Sequence, residues 1–207
     1  MEMSSSPALA DRILDGALAC VARVGVAKTT LDDVAREAGC ARATVYRSFP
    51  GRQALFGAMV EREVTRLADQ LLESAADADS LADAVVAVIR TGARTFHTHP
   101  ALAFVLAHEP EIVAPQLSFE QGSALLHVAS QLVGPAFTRF LSDSDSDAER
   151  LGEWMTRLTL SYLCNPSEHV DLDDAAQVRA LVDAFVLPGF TRSSTFASAV
   201  TGEGASR

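Results

Sequence analysis

The chain has 207 residues, enough for one large domain or for a small one joined to a larger, and its 48 % hydrophobic content can fill a sizeable core. A net charge of -10 excludes a strongly electrostatic, non-specific nucleic-acid binder. Three widely spaced cysteines, Cys20, Cys40 and Cys164, exclude a disulfide framework or a CxxC metal site and fit a reducing cytoplasm.

Alanine and leucine dominate and β-branched runs are short, which favours an all-α protein. The acidic, polar start does not read as a signal peptide, and no apolar stretch reaches the roughly 18 residues that span a bilayer. A soluble, cytoplasmic protein with no membrane partner is expected. The charge is unevenly placed. Residues 1–55 hold seven basic and six acidic side chains, so the acidic excess lies in the remainder, with ten arginines against 21 acids.

In chain order, residues 8–24 predict a first helix, with Ile13, Leu14, Ala17, Leu18, Val21 and Val24 at helical spacing and Gly25 as its stop. Thr30 reads as an N-cap with Asp33 three residues on, a capping-box arrangement. Leu31, Val34, Ala35 and Ala38 give the stripe of a short second helix that Gly39 ends. Residues 42–49 form a third, Val45 and Phe49 facing inward, and Pro50-Gly51 breaks it.

A fourth helix runs from about residue 52 to 74. Further helices are expected over 81–99, closed by Pro100, and 101–108, closed by Pro110. Another runs from 112 or 116 to 141, disturbed at Pro115 and Pro135. An acidic loop follows at 142–149, then a helix over 148–163. The last, over 174–187, is capped by Asp173 and ended by Pro188-Gly189. That makes about nine helices. The expected division is into residues 1–51, residues 52–192 and a disordered tail over 193–207.

Two short helices joined by a tight turn can place the second in the DNA major groove. Arg42 and Arg47 can fork onto a guanine or a phosphate, and the Thr44 and Tyr46 hydroxyls suit phosphate oxygens. Ala43 permits close approach, and Arg52 at a helix start is a phosphate anchor. The same periodicity also fits an ordinary helical hairpin with solvated arginines.

The run TTLDDVAREAGCARATVYRSFPGRQALF resembles the N-terminal signature of the tetracycline-repressor (TetR) family. The resemblance rests on Thr29-Thr30, Val34-Ala35, Ala38-Gly39, the helix Thr44-Val45-Tyr46-Arg47-x-Phe49, and Arg52 before Leu55-Phe56. It covers roughly residues 10–60. It implies an all-α homodimer with an N-terminal three-helix head that binds a palindromic double-stranded DNA operator, and a C-terminal ligand-binding domain. Most such proteins repress transcription and release DNA when a small molecule binds. The expected DNA-binding set is Thr30, Arg42, Ala43, Thr44, Tyr46, Arg47 and Arg52. Two positions depart from the pattern: Cys40-Ala41 stands where Val-Ser is frequent, which removes a hydroxyl cap, and Arg52 stands where Lys is common.

For the sensor half, Phe96, Phe104, Leu106, Phe119, Leu126, Phe137, Trp154 and Tyr162 are candidate lining for a small hydrophobic effector, such as an acyl chain, a steroid-like compound or a lipophilic drug. Aromatic side chains at helical spacing are more often ordinary core packing, and that reading stands beside the effector reading for each of them. Arg90, Arg94, His97 and Glu109 are weaker candidates for an effector's polar end. Leu151, Trp154, Leu158 and Tyr162, with Val178, Leu181, Val182 and Phe185, are the expected dimer faces. His97 and His99, two apart, suit shared ligation poorly; no metal and no cofactor are expected. Two other readings stay open: an effector-independent DNA-binding regulator, and a helical enzyme. The second has no G-x-S-x-G, P-loop, H-E-x-x-H or dinucleotide fingerprint.

Overall fold

The computed structural model describes residues 7–112, 122–141 and 145–190; the side chains of 122–127 and 145–146 are not part of that description. Among the described residues the regular structure is helical throughout, with no strand. The helices are α1 (Pro7–Lys28), α2 (Leu31–Glu37), α3 (Arg42–Ser48), α4 (Arg52–Ala76), α5 (Leu81–Thr98), α6 (Pro100–His108), α7 (Gly122–Val133), α8 (Asp145–Cys164), α9 (Ala175–Leu181) and the one-turn α10 (Leu187–Phe190). They form two compact units. Met1–Ala68 with Thr95–Leu125 make the first, and Asp69–Arg94 with Leu126–Arg207 the second.

In the first unit, α1 turns Ile13, Leu14, Ala17, Cys20 and Val21 inward, five residues that follow one helical face. They pack with Val34, Ala35 and Ala38 of α2, Val45 of α3, Leu55 and Met59 of α4, and Ala101 and Val105 of α6. The head is therefore not a free three-helix module. Helix α6 packs along α1 and shares its core. Polar links reinforce this. Arg62 of α4 pairs with Asp15 of α1 at 2.8 Å and donates to the Asp11 carbonyl at 3.0 Å. His99 caps α6, its Nδ1 accepting from the Leu102 amide at 3.1 Å.

Gly25 bends the chain where the sequence places a stop, but the helix resumes for one more turn. Its φ of 85° lies in the left-handed region, and Val26 to Lys28 continue as helix. Pro110, expected to close α6, instead opens a helical turn over residues 110–112; the break falls at Glu109, whose φ is -136° and ψ 48°. Pro is well suited to a first helical position because its missing N–H has no intrahelical partner there.

In the second unit, Val85, Ile89, Phe137, Leu151, Met155, Val178 and Val182 are fully buried. Helix α7 ends at Val133, short of the expected residue 141. Pro135 cannot donate to the helical ladder, and two 3₁₀ turns, Gly134–Ala136 and Thr138–Phe140, take over. Pro115 lies outside the described residues. Arg139 then donates to the carbonyls of Ala75 and Ala76, the last acceptors of α4, and to that of Ala78 in the turn after it.

The cap of α9 is Asp174 rather than Asp173. Its Oδ1 accepts from the Ala176 amide at 2.8 Å and the Gln177 amide at 3.2 Å. Nor does the helical path stop at Leu187. A π-helical segment, Val182–Val186, adds one residue per turn, the Leu187 amide reaching back to the Val182 carbonyl, and α10 follows through Pro188 and Gly189. Among the described residues this split adds α10 beyond the expected end of the last helix.

Candidate nucleic-acid interface

The capping box forms as the spacing predicts. Thr30 Oγ1 accepts from the Asp33 amide at 3.1 Å, and Asp33 Oδ2 accepts from the Thr30 amide at 3.1 Å. The Thr30 hydroxyl, then the Thr30 amide, then Arg36 hold the Asp33 carboxyl below the usual carboxylate range. Thr29 is buried instead, its hydroxyl donating to the Gly25 carbonyl at 2.6 Å. Gly39 makes the turn at φ 61°, and Arg12 of α1 donates to the Ala38 carbonyl at 2.6 Å, closing the end of α2. Helix α3 has Ala41 as its N-cap, with no side-chain cap bond, the deficit expected from the sequence.

Buried Val45 is the pivot that fixes which side of α3 faces out. Arg42, Ala43, Tyr46 and Arg47 are exposed, and Thr44 is half-buried. Arg42 pairs with Asp32 of α2 at 2.9 Å and lies 5.5 Å from the centre of the Tyr46 ring. Arg47 donates to the Thr44 hydroxyl at 3.3 Å. The result is a short cationic and aromatic edge on a helix held rigidly from behind, the arrangement that a groove-reading helix needs.

Arg52, expected as a phosphate anchor, is exposed and also bonded to the chain itself. Its guanidinium donates to the carbonyls of Val26 and Thr29 and lies 4.7 Å from the Phe56 ring centre. Two carbonyl acceptors and an aromatic face direct it at the chain itself, so it ties the start of α4 to the link between α1 and α2. That link has a second clasp, which the sequence gives no sign of. Glu109, at the end of α6, is buried; its Oε2 accepts from the Val26 amide at 2.6 Å and its Oε1 from the Ala27 amide at 2.9 Å. A Cβ on Gly25 would stand 2.6 Å from Glu109 Oε1, so only glycine leaves room for this carboxylate. Glu109 is thus a structural partner of the head and not free to meet an effector. No local motif marks it, because it acts on residues 82 and 83 positions away.

The expected effector lining is distributed. Phe96, Phe104 and Leu106 are half-buried in the first unit, Phe96 edge-on to His97 and Phe104 stacked on His108 at 4.4 Å. In the second unit Phe137 is fully buried, Tyr162 half-buried and Trp154 36 % exposed. Phe119 lies outside the described residues, as does the side chain of Leu126. A cavity of about 320 Å³ in the second unit is lined by Gln131, Gly134, Pro135, Thr138, Ala148 and Glu149, none of them in the expected set. Arg90 donates to the Asp173 carbonyl at 3.3 Å.

Of the expected dimer faces, Leu151, Val178, Leu181 and Val182 are buried within the subunit itself and have no side-chain surface to offer a partner. Leu158 and Tyr162 are half-buried, and Trp154 and Phe185 remain at the surface, Phe185 70 % exposed. Burial raises the Cys20 thiol, only partly offset by Arg23, which removes it from consideration as a reactive thiolate. No three His, Cys, Asp or Glu side chains gather as a metal cluster among the described residues, and none of the described helices is long and apolar enough to cross a membrane.

A capped α2, a glycine turn and an α3 with an outward cationic edge define a helix-turn-helix regulator of transcription. The particular family follows from the comparisons: residues 13–59 match the profile of the bacterial regulatory proteins of the tetR family, and the chain belongs to that family. An uncharacterized HTH-type transcriptional regulator of Mycobacterium tuberculosis is 32 % identical over 189 residues, covering 91 % of this chain and 88 % of the relative. The HTH-type transcriptional regulator AlkX of the same species is 31 % identical over 188 residues, covering 88 % and 87 %. In three dimensions the chain is similar to the TetR family repressor AlkX from Dietzia sp. strain DQ12-45-1b, a protein implicated in biodegradation of n-alkanes. The TM-score is 0.63 at 20 % identity, covering 90 % of this chain and 98 % of that one.

Proposed function

We propose that the chain is a ligand-responsive repressor that binds a palindromic operator as a homodimer and leaves it when a mostly hydrophobic small molecule binds. The observation that carries the DNA-reading part is the outward edge of α3, where Arg42, Ala43, Thr44, Tyr46 and Arg47 stand over buried Val45. Thr44, whose hydroxyl among the described residues only accepts from Arg47, keeps its hydrogen for a backbone phosphate beside it, while Thr30, whose hydroxyl is bonded to Asp33, can meet DNA only by exchanging that bond. Arg52 ties the start of α4 to the link between α1 and α2 beside this edge.

A two-fold dimer repeats the edge on both half-sites, which is why the operator is palindromic. Trp154 of α8 and Phe185 of the π-helical segment are the exposed aromatic anchors suited to that contact. The apolar character of the effector is supported by the hydrophobic make-up of the sensor half and by the n-alkane context of the Dietzia repressor. Cytoplasmic action on DNA and absence of enzymatic turnover belong to the same reading.

The test is operator binding. DNA selected in vitro by the wild-type protein is bound in a gel-shift assay at fixed salt, and Tyr46→Ala and Arg47→Ala each weaken it about fivefold or more, as a lost base or phosphate contact of about 1–3 kcal/mol requires. Circular dichroism stays at the wild-type signal. Unchanged binding of both variants refutes the assignment of α3.

A further inference from the structure

The two arginines on α3 are not equivalent. Arg42 meets the Asp32 carboxylate across the helix-turn-helix at 2.9 Å, whereas Arg47, among the described residues, meets only the Thr44 hydroxyl of its own helix. Both ends of the Asp32–Arg42 pair are more than half exposed, so the pair contributes little to folding. Its consequence lies in what the surface presents to DNA. The Arg42 guanidinium is held between a carboxylate on one side and the Tyr46 ring on the other, and much of its rotamer freedom is gone before DNA arrives.

A phosphate and a base edge meet this arrangement differently. A phosphate oxygen competes with Asp32 for the same guanidinium protons and is repelled by the Asp32 charge. It gains only an exchange of one anion for another. A guanine O6/N7 edge is neutral and takes two donors; a guanidinium has five, so the base can be read while the pair to Asp32 stays intact. Asp32 therefore weakens the sequence-independent use of Arg42 and spares its sequence-dependent use.

Resting on the reading of α3 as the recognition helix, we propose that Asp32 is a specificity-determining residue, which holds Arg42 against Tyr46 and directs it to a base edge instead of the phosphate backbone.

The experiment uses the full chain and two duplexes of equal length, the one recovered by in vitro selection with wild-type protein and a shuffled version of it. Affinities for both are measured over a salt series for wild type, Asp32→Asn, Asp32→Glu, Arg42→Ala and the double variant Asp32→Asn/Arg42→Ala, with thermal melts to establish that each is folded. Asp32→Asn is expected to narrow the selected-to-shuffled affinity ratio by about tenfold. The narrowing comes mostly from tighter binding of the shuffled duplex, with a salt dependence steeper by about one phosphate contact. Asp32→Glu keeps the charge and restores the ratio. In the Arg42→Ala background the Asp32 change moves both duplexes by the same factor, because no guanidinium is left to direct. A role limited to the α2 dipole would move the melts without moving the ratio.

An unchanged ratio in Asp32→Asn, or an equal shift of both duplexes in the presence of Arg42, overturns the proposal. So does Arg42→Ala with selected-duplex binding at the wild-type level. Failure of the recognition-helix reading is a separate result: Arg42→Ala, Tyr46→Ala and Arg47→Ala would all bind the selected duplex as wild type does.

Discussion

Glu109→Ala tests how the DNA-reading head is joined to the rest of its unit. The buried carboxylate accepts two short bonds from the amides of Val26 and Ala27. Hydrogen bonds to a charged group contribute roughly 1.5–3 kcal/mol each. Water entering the vacated space restores part of the loss, since the amides lie beside a bend in α1. The expected destabilisation is about 3 kcal/mol, which for a chain of this size lowers the melting temperature by roughly 6–12 °C. Glu109→Gln keeps one acceptor but turns an NH₂ toward the second amide, so it loses about half as much.

The assay is thermal unfolding followed by circular dichroism, with amide hydrogen exchange read at Val26 and Ala27. Exchange at these two amides is expected to accelerate in Glu109→Ala by more than the global change accounts for. A melting temperature within about 2 °C of wild type, together with two amides still protected, would falsify the clasp. A companion variant sharpens the result. Gly25→Ala meets the carboxylate at 2.6 Å and also strains a φ of 85°, so combining it with Glu109→Ala relieves the collision and leaves the strain. The double variant is then less destabilised than the two single changes added together.

Three further predictions address other parts of the chain. Ala41→Ser supplies the missing cap of α3, whose N-cap backbone is already extended, and gains about 1 kcal/mol in a denaturant melt; no gain means that the α3 terminus is satisfied in another way. Hydrogen bonds from the Ser80 hydroxyl and then Arg179 lower the Asp83 carboxyl, and the Gln177 and Ala176 amides lower Asp174, as Thr30 lowers Asp33. A carboxyl lowered on folding stabilises fully above its unfolded value near 4 and loses that contribution as pH falls through its lower folded value. The Asp33→Asn/Asp83→Asn/Asp174→Asn variant therefore shows a flatter acid limb of stability than wild type, and an identical limb would contradict the assignment. Phe185→Glu places a charge on the proposed dimer contact and shifts sedimentation toward the monomer; an unmoved distribution argues that Phe185 lies elsewhere.

The head was legible in the sequence because its signals are local. The Thr30–Asp33 box, the turn at Gly39, the bare N-cap at Ala41 and the inward Val45 each follow from residues within a few positions, and each forms in the structure. Helical periodicity likewise placed the apolar face of α1, because burial of Ile13, Leu14, Ala17 and Val21 needs only a partner and not a particular one. Proline gave mixed guidance: at Pro135 it ended a helix and at Pro110 it began one, since the same missing N–H is harmful inside a helix and harmless in its first turn.

Tertiary structure alone decided what depends on distant neighbours. Arg52 has the chemistry of a phosphate anchor, and only the approach of the Val26 and Thr29 carbonyls gives its exposed guanidinium partners within the chain. Leu151, Val178 and Val182 carry the same apolar periodicity as an interface, and only packing shows that the subunit's own core has covered them. Glu109 reads in the sequence as a weak candidate for an effector's polar end, and only the packing of α6 along α1 sets its carboxylate against two backbone amides. Periodicity determines which face of a helix must be buried and local chemistry determines how it begins and ends. Which polar group is left facing outward is settled by whatever long-range partner arrives first at hydrogen-bonding distance, and no local pattern encodes that meeting.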